Sequence, residues 1–220
     1  MKTAIRAIGF GLFGLVLFGL MLFLPAWTFA YWQAWVFLAV FTLSTWLPSI
    51  YLLRTNPAAL QRRMHAETRP MQKVIMAFLF LSLAALTVVS VLDHRFGWSP
   101  VPTAISLVGD VLVAIGLGMS MLVIVQNSYA AANITVEAGQ KLVSTGLYGF
   151  VRHPMYVGNV IMMLGIPPAL GSYWGLLFVI PGVVVLVLRI LDEEKLLTRE
   201  LAGYREYAQR VRYRLVPSVW

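Results

Sequence analysis

A chain of 220 residues that is 60% hydrophobic and only 12% charged has too little polar surface to cover a soluble globule, so it belongs in a bilayer. Its formal net charge of +8 would suggest a nucleic-acid partner in a soluble protein, but in a membrane protein it sets orientation, and no nucleic acid is expected. The absence of cysteine excludes disulfides, thiolate metal sites and a cysteine nucleophile. His65, His94 and His153 are too far apart for metal-ligand spacing, so no metal is expected.

Apolar runs fall at about 5–24, 31–53, 74–92, 102–125, 155–170 and 174–191, most near the roughly 20 residues that cross a bilayer core. Backbone groups in lipid need internal partners, and runs of this length satisfy them as helices. The expected class is therefore all-α, a polytopic bundle of about six membrane helices followed by an amphipathic C-terminal helix. The first run is too long for a signal h-region and reads as a retained helix. The fifth is short and runs into Gly165-Ile166-Pro167-Pro168, so the last two are expected to form a kinked or tilted hairpin.

With six spans, every lysine and arginine except Arg95 falls on the side of the termini. The positive-inside rule puts that side in the cytoplasm, with a prokaryotic inner membrane favoured. Trp27, Tyr31, Trp32, Trp98, Tyr173 and Trp174 lie near the opposite ends, where an aromatic belt belongs. The loop at 54–73 opens with an Asn56-Pro57 turn signal and carries Arg62 and Arg63. It reads equally as a solvated amphipathic segment or as a lid, and none of its residues is assigned to chemistry.

Two motif matches carry little. Gly9, Gly11 and Gly14 spell a dinucleotide fingerprint without the strand it needs. Small residues in a membrane helix mark close packing, the expected role of Gly116 and Gly118 in the fourth span. Asn133-Ile134-Thr135 spells a glycosylation acceptor in a loop assigned to the cytoplasm.

Chemistry concentrates in three polar clusters at span ends on one side. Arg152-His153-Pro154 starts the fifth span, because proline disfavours helix just before it and suits the first turn. The resulting N-terminus, with Arg152 beside it, favours an anion, though Arg152 also fits the charge bias and His153 a cap. Asp192-Glu193-Glu194 follows Arg189 at the end of the sixth span, and Arg189 and Glu193, four apart, could simply pair. Gln126-Asn127-Ser128 ends the fourth. Beyond the sixth span, Leu197, Leu201, Tyr204, Ala208 and Val211 recur at helical spacing. Gly203 weakens that helix by roughly 1 kcal/mol relative to alanine, so it must pack on something, with the Arg152-His153-Pro154 loop nearest.

Gly146-x-Tyr148, Arg152-His153-Pro154-x-Tyr156-x-Gly158, Arg189-x-x-x-Glu193-Glu194-x-x-Leu197 and Gly203-x-x-x-Tyr207 together resemble the isoprenylcysteine carboxyl methyltransferase family and its phospholipid methyltransferase relatives over about 127–217. The resemblance implies an integral membrane methyltransferase that uses S-adenosylmethionine, releases S-adenosylhomocysteine and methylates a lipophilic acceptor. It divides the chain into helices 1–4 with their 54–73 loop, 1–125, and a cofactor-binding core, 126–220. By position, Val143, Gly146, Tyr148, His153, Pro154, Tyr156, Glu193 and Glu194 are the expected cofactor contacts. Arg152, Arg189, Glu194 and Asn127 are the expected catalytic or acceptor-side residues. A carboxylate acceptor needs alignment and no base, whereas a phospholipid amine would need a proton acceptor. Membrane sterol reductases carry a similar Arg-His-Pro-x-Tyr motif and bind a nicotinamide dinucleotide. A transporter or scaffold would predict mid-span charges or repeats, and only Asp110 lies well inside a span.

Overall fold

The computed structural model describes residues 2–130 and 132–220. Among these described residues eight α-helices follow one another as α1 Lys2–Ala26, α2 Trp32–Thr55, α3 Pro57–Arg63, α4 Pro70–Phe96, α5 Thr103–Gln126, α6 Pro154–Ala169, α7 Val179–Glu200 and α8 Tyr204–Arg210. Short 3-10 turns occupy Gly146–Gly149 and Trp174–Phe178, and there is no strand among the described residues. The all-α expectation holds.

Among the described residues, five stretches are long and apolar enough to cross a membrane: α1, α2, α4, α5 and Trp174–Glu200. The fifth expected span forms α6, but its 16 residues reach only about 24 Å at 1.5 Å per residue, short of the roughly 30 Å core. Its far end stops inside protein. Ile166, Ala169 and Leu170 are fully buried, and the Tyr31 hydroxyl donates to the Leu170 carbonyl. Beyond it, buried Asp93 of α4 accepts hydrogen bonds from Ser99, Ser172 and the Trp174 amide. Irregular backbone is tolerated at such depth only where protein partners satisfy it.

The expected hairpin of α6 with the last span is secondary to a tighter pairing, that of α6 with α5. A Cβ on Gly116 would collide with the Gly158 carbonyl, and one on Gly109 with the Ala169 backbone. Glycine at both levels lets the backbones touch. The expected role of Gly116 holds, but Gly118 faces open space. It lies two residues from Gly116, on another side of the helix.

The amphipathic tail is not one helix. α7 continues through the acidic triplet to Glu200, and Gly203, at φ +79°, turns the chain into α8. Glycine adopts that left-handed conformation at no steric cost. Leu201, Tyr204 and Tyr207 stay buried across the bend, packed on Val136, Leu142 and Tyr148. The tail therefore packs on the polar loop, as its composition required. In all, the ends of α5 and α7, the start of α6, and α8 surround one region, called here the site end.

Candidate active site

Pro154 is the first residue of α6 and His153 its N-cap. The Arg152 and His153 amides donate to the Tyr213 and Arg214 carbonyls, at 2.9 and 3.0 Å, so the segment after α8 is stitched along this corner. The anion that the corner attracts is the chain's own Glu194. Its carboxylate lies 2.9 Å from Arg152 Nε, 3.1 Å from His153 Nε2 and 2.9 Å from Arg214 Nε.

The three consecutive acids of α7 point three ways, as successive helical residues about 100° apart must. Asp192 turns to Arg69, at 2.9 Å, and to the Gln72 amide. Glu194 turns to the Arg152-His153-Pro154 corner. Glu193 turns inward, where Tyr156 donates to its Oε2 at 2.6 Å. The Tyr156 hydroxyl in turn accepts from Arg189 Nε at 3.0 Å, so it bridges Arg189 and Glu193, in place of the direct pair that their spacing allowed. The remaining Arg189 nitrogens donate to Gln72 Oε1, at 2.8 Å, and to the Ala132 carbonyl, at 2.7 Å. A buried guanidinium with every edge engaged is a fixed charge.

Beside this network is a cavity of about 110 Å³. Asn127, Val143, Tyr148, Arg152, His153, Pro154, Tyr156, Arg189 and Glu193 line it. Gly146 and Glu194 do not. Gly146, at φ +62°, forms the turn behind the wall, where a Cβ would press on the Gln126 amide. Glu194 braces the corner from outside. Asn127 Nδ2 donates to the Tyr148 hydroxyl at 3.1 Å. Burial pushes the Tyr148 phenol up to about 12, with the Glu193 charge adding and the Asn127 bond opposing. Tyr148 is therefore a neutral phenol at physiological pH.

Other wall residues had no assignment from sequence. Tyr204 and Tyr207 complete an aromatic side with Tyr148, and Tyr207 donates to the Tyr148 carbonyl at 2.8 Å. Asn133, Ile134 and Thr135, the glycosylation-like triplet, also line the cavity. Glu67 and Gln72 back the site: Glu67 accepts from the Ile134 amide at 3.0 Å and lies 3.9 Å from Arg189. Arg62 donates two hydrogen bonds to the Glu137 carboxylate, at 2.6 and 2.8 Å, and lies over the Tyr129 ring. Loop 54–73 thus packs on the site. The one signal available was scarcity, since Glu67 is among only nine acids in the chain.

Residues 105–204 match the family model of phospholipid methyltransferases. The matched stretch runs from α5 into α8 and includes every lining residue of the cavity except Tyr207. The match supports a membrane methyltransferase. The chain is also 34% identical over 90 residues to the mouse (Mus musculus) Delta(14)-sterol reductase, a similarity covering 40% of this chain and 22% of that protein. The chain thus spans about a fifth of that relative's length.

Proposed function

We propose that the protein is an S-adenosylmethionine-dependent membrane methyltransferase acting on a lipophilic acceptor, with a carboxylate as the accepting group. The observation that carries this reading is the donor set of one cavity: a carboxylate, Glu193, three tyrosines, Tyr148, Tyr204 and Tyr207, and amide and cationic side chains in the same lining. This set suits a zwitterion that carries an aromatic base. Glu193 takes the ammonium, the backbone from Val143 to Gly146 with Lys141 takes the carboxylate, and the tyrosines flank the base. His153, Pro154 and Tyr156 shape the floor, and Glu194 acts as a positioning residue through Arg152, His153 and Arg214.

Bound S-adenosylmethionine supplies an electrophilic methyl group. The protein's part is alignment and exclusion of water, and alignment of reactants contributes roughly 7–11 kcal/mol. Arg189, held by Tyr156, Gln72 and the Ala132 carbonyl, presents a fixed positive charge that orients an acceptor carboxylate. Asn127 holds Tyr148 in place, and Arg152 buttresses the same wall through Glu194. An amine acceptor would instead have to lose a proton, a task for Glu193 or His153. The positive-inside bias assigns the site end and both termini to the cytoplasm.

The sterol reductase likeness gives a second reading, with a nicotinamide dinucleotide in the cavity. The charge inventory weighs against it. A dinucleotide brings at least two phosphates, and the cavity faces them with the Glu193 carboxylate, while Arg152 is already paired with Glu194. Arg189 and Lys141 are the cations left for them. Transfer of tritiated methyl from S-adenosylmethionine to long-chain amphiphiles tests the acceptor. Base-labile label on an acid is the expected result, and base-stable label on an amine would overturn the carboxylate assignment.

A further inference from the structure

A second cavity, larger than that of the site, lies apart from it between α1 and α2 and measures about 460 Å³. That is within the usual range for small-molecule sites. It runs along α1 from Ala4 to Phe18, about 21 Å at 1.5 Å per residue. Small residues floor it, Ala4, Ala7, Gly11 and Gly14 on α1 facing Thr42, Thr45 and Ser49 on α2. Such stripes ordinarily draw helices together. Here a Cβ on Gly14 would meet nothing, and one on Gly11 only the Trp46 ring, so the small residues make room instead of contact.

The site end of this trough is not apolar. Arg63 lines it, and among the described lining residues it is the one ionisable group. Its Nη1 lies 3.3 Å from Met155 Sδ, and Met155 also lines the first cavity. Arg63 and Met155, with Met64 packed against the same cluster, are the partition between trough and site. Methionine and arginine side chains are long and readily re-packed. Burial holds the Arg63 guanidinium below its ordinary range, and the charge of Arg189 adds to that effect, so an anion placed between the two is favoured.

We propose that the trough between α1 and α2 binds an amphiphile with one apolar tail and an anionic head, the tail along Gly11 and Gly14 and the head at Arg63. Assigning this occupant as the methyl acceptor rests on the function proposed above. The trough is one helix-to-helix gap wide, which suits a single chain, and its cation sits on the side where the two cavities adjoin.

The test uses the full chain in nanodiscs with a hexadecanoic acid carrying a diazirine near its methyl end, and the matching methyl ester for comparison. Crosslinks are expected on trough-facing peptides of α1 and α2, with the acid labelling about tenfold more than the ester through its charged contact. Arg63→Gln removes that preference and leaves ester labelling intact. Gly14→Leu fills the trough and cuts labelling by both probes, while S-adenosylhomocysteine binding, read by calorimetry, stays at the wild-type value. Equal labelling by acid and ester, labels on the lipid-facing sides of α4 and α7, or displacement by phosphatidylglycerol as effective as by unlabelled hexadecanoic acid would overturn the proposal. The two readings separate cleanly. Labelling as expected without S-adenosylhomocysteine binding sinks the methyltransferase and its acceptor while keeping the lipid site; binding without trough labelling does the reverse.

Discussion

At the scale of single residues, Glu194 and Glu193 are neighbours with different work. Glu194→Gln leaves Arg152, His153 and Arg214 around a neutral amide, and removing one partner of a partly buried ionic cluster costs less than the roughly 3–5 kcal/mol of a fully buried one. A pronounced fall in thermal stability of the detergent-solubilised protein is expected. Glu193→Gln keeps the fold, because Tyr156 can still donate to the amide oxygen, but takes the negative charge out of the cavity. Arg62 and Glu137 supply a pH prediction. The Arg62 hydrogen bond holds the Glu137 carboxyl below its ordinary range. A carboxyl so depressed contributes stability that is present above its unfolded pKa and lost as pH falls through the folded one. Hydrogen exchange of the Arg62 segment, corrected for its intrinsic pH dependence, should therefore show loosening as the Glu137 carboxylate is protonated on acidification, and in Glu137→Gln the segment should be loose already at neutral pH. These pairings also mark a limit of sequence reading. Which of three consecutive acids faces a cavity depends on the rotation of α7, and that is set by packing rather than by the acids themselves.

At the scale of elements, the contact of α5 with α6 fixes the cavity, since one helix ends beside it and the other begins there. Gly116→Leu would force the backbones apart at Gly158, a cost of about 1–3 kcal/mol or more for overpacking. Gly118→Ala meets open space and should shift stability by no more than about 0.5 kcal/mol; equal destabilisation by the two would contradict the pairing described. Gly203→Ala must hold a left-handed φ at about 1–2 kcal/mol, and α8, with Tyr204 and Tyr207, should loosen, which hydrogen exchange would detect. The membrane helices were legible because bilayer thickness imposes a length that apolar runs reveal. The shortness of α6 was legible in part, through Pro167 and Pro168. That α6 could be short depended on its burial beneath Tyr31 and Asp93, a tertiary fact. The break at Gly203 shows a weak helix position giving way where packing favours a turn.

At the scale of the whole molecule, the chain gathers most of its sparse charged residues at one end of an apolar bundle. Their rarity made the cluster visible: Asn127, Tyr148, His153, Tyr156, Arg189 and Glu193 stand out against greasy surroundings and do line one cavity. Loop 54–73 was not legible as part of the site, because Glu67 and Gln72 reach Arg189 across more than a hundred residues and no local pattern announces such contacts. The trough between α1 and α2 was equally hidden, since its small residues spell packing when read along one helix. The measurement that bears most directly on the account is titration calorimetry of the purified protein with S-adenosylhomocysteine and with NADPH, on the wild type and on Glu193→Gln. The account predicts micromolar binding of S-adenosylhomocysteine, weakened roughly 10- to 100-fold by the loss of a charged hydrogen bond, and no binding of NADPH. Binding of NADPH instead, or S-adenosylhomocysteine binding indifferent to Glu193, would contradict it.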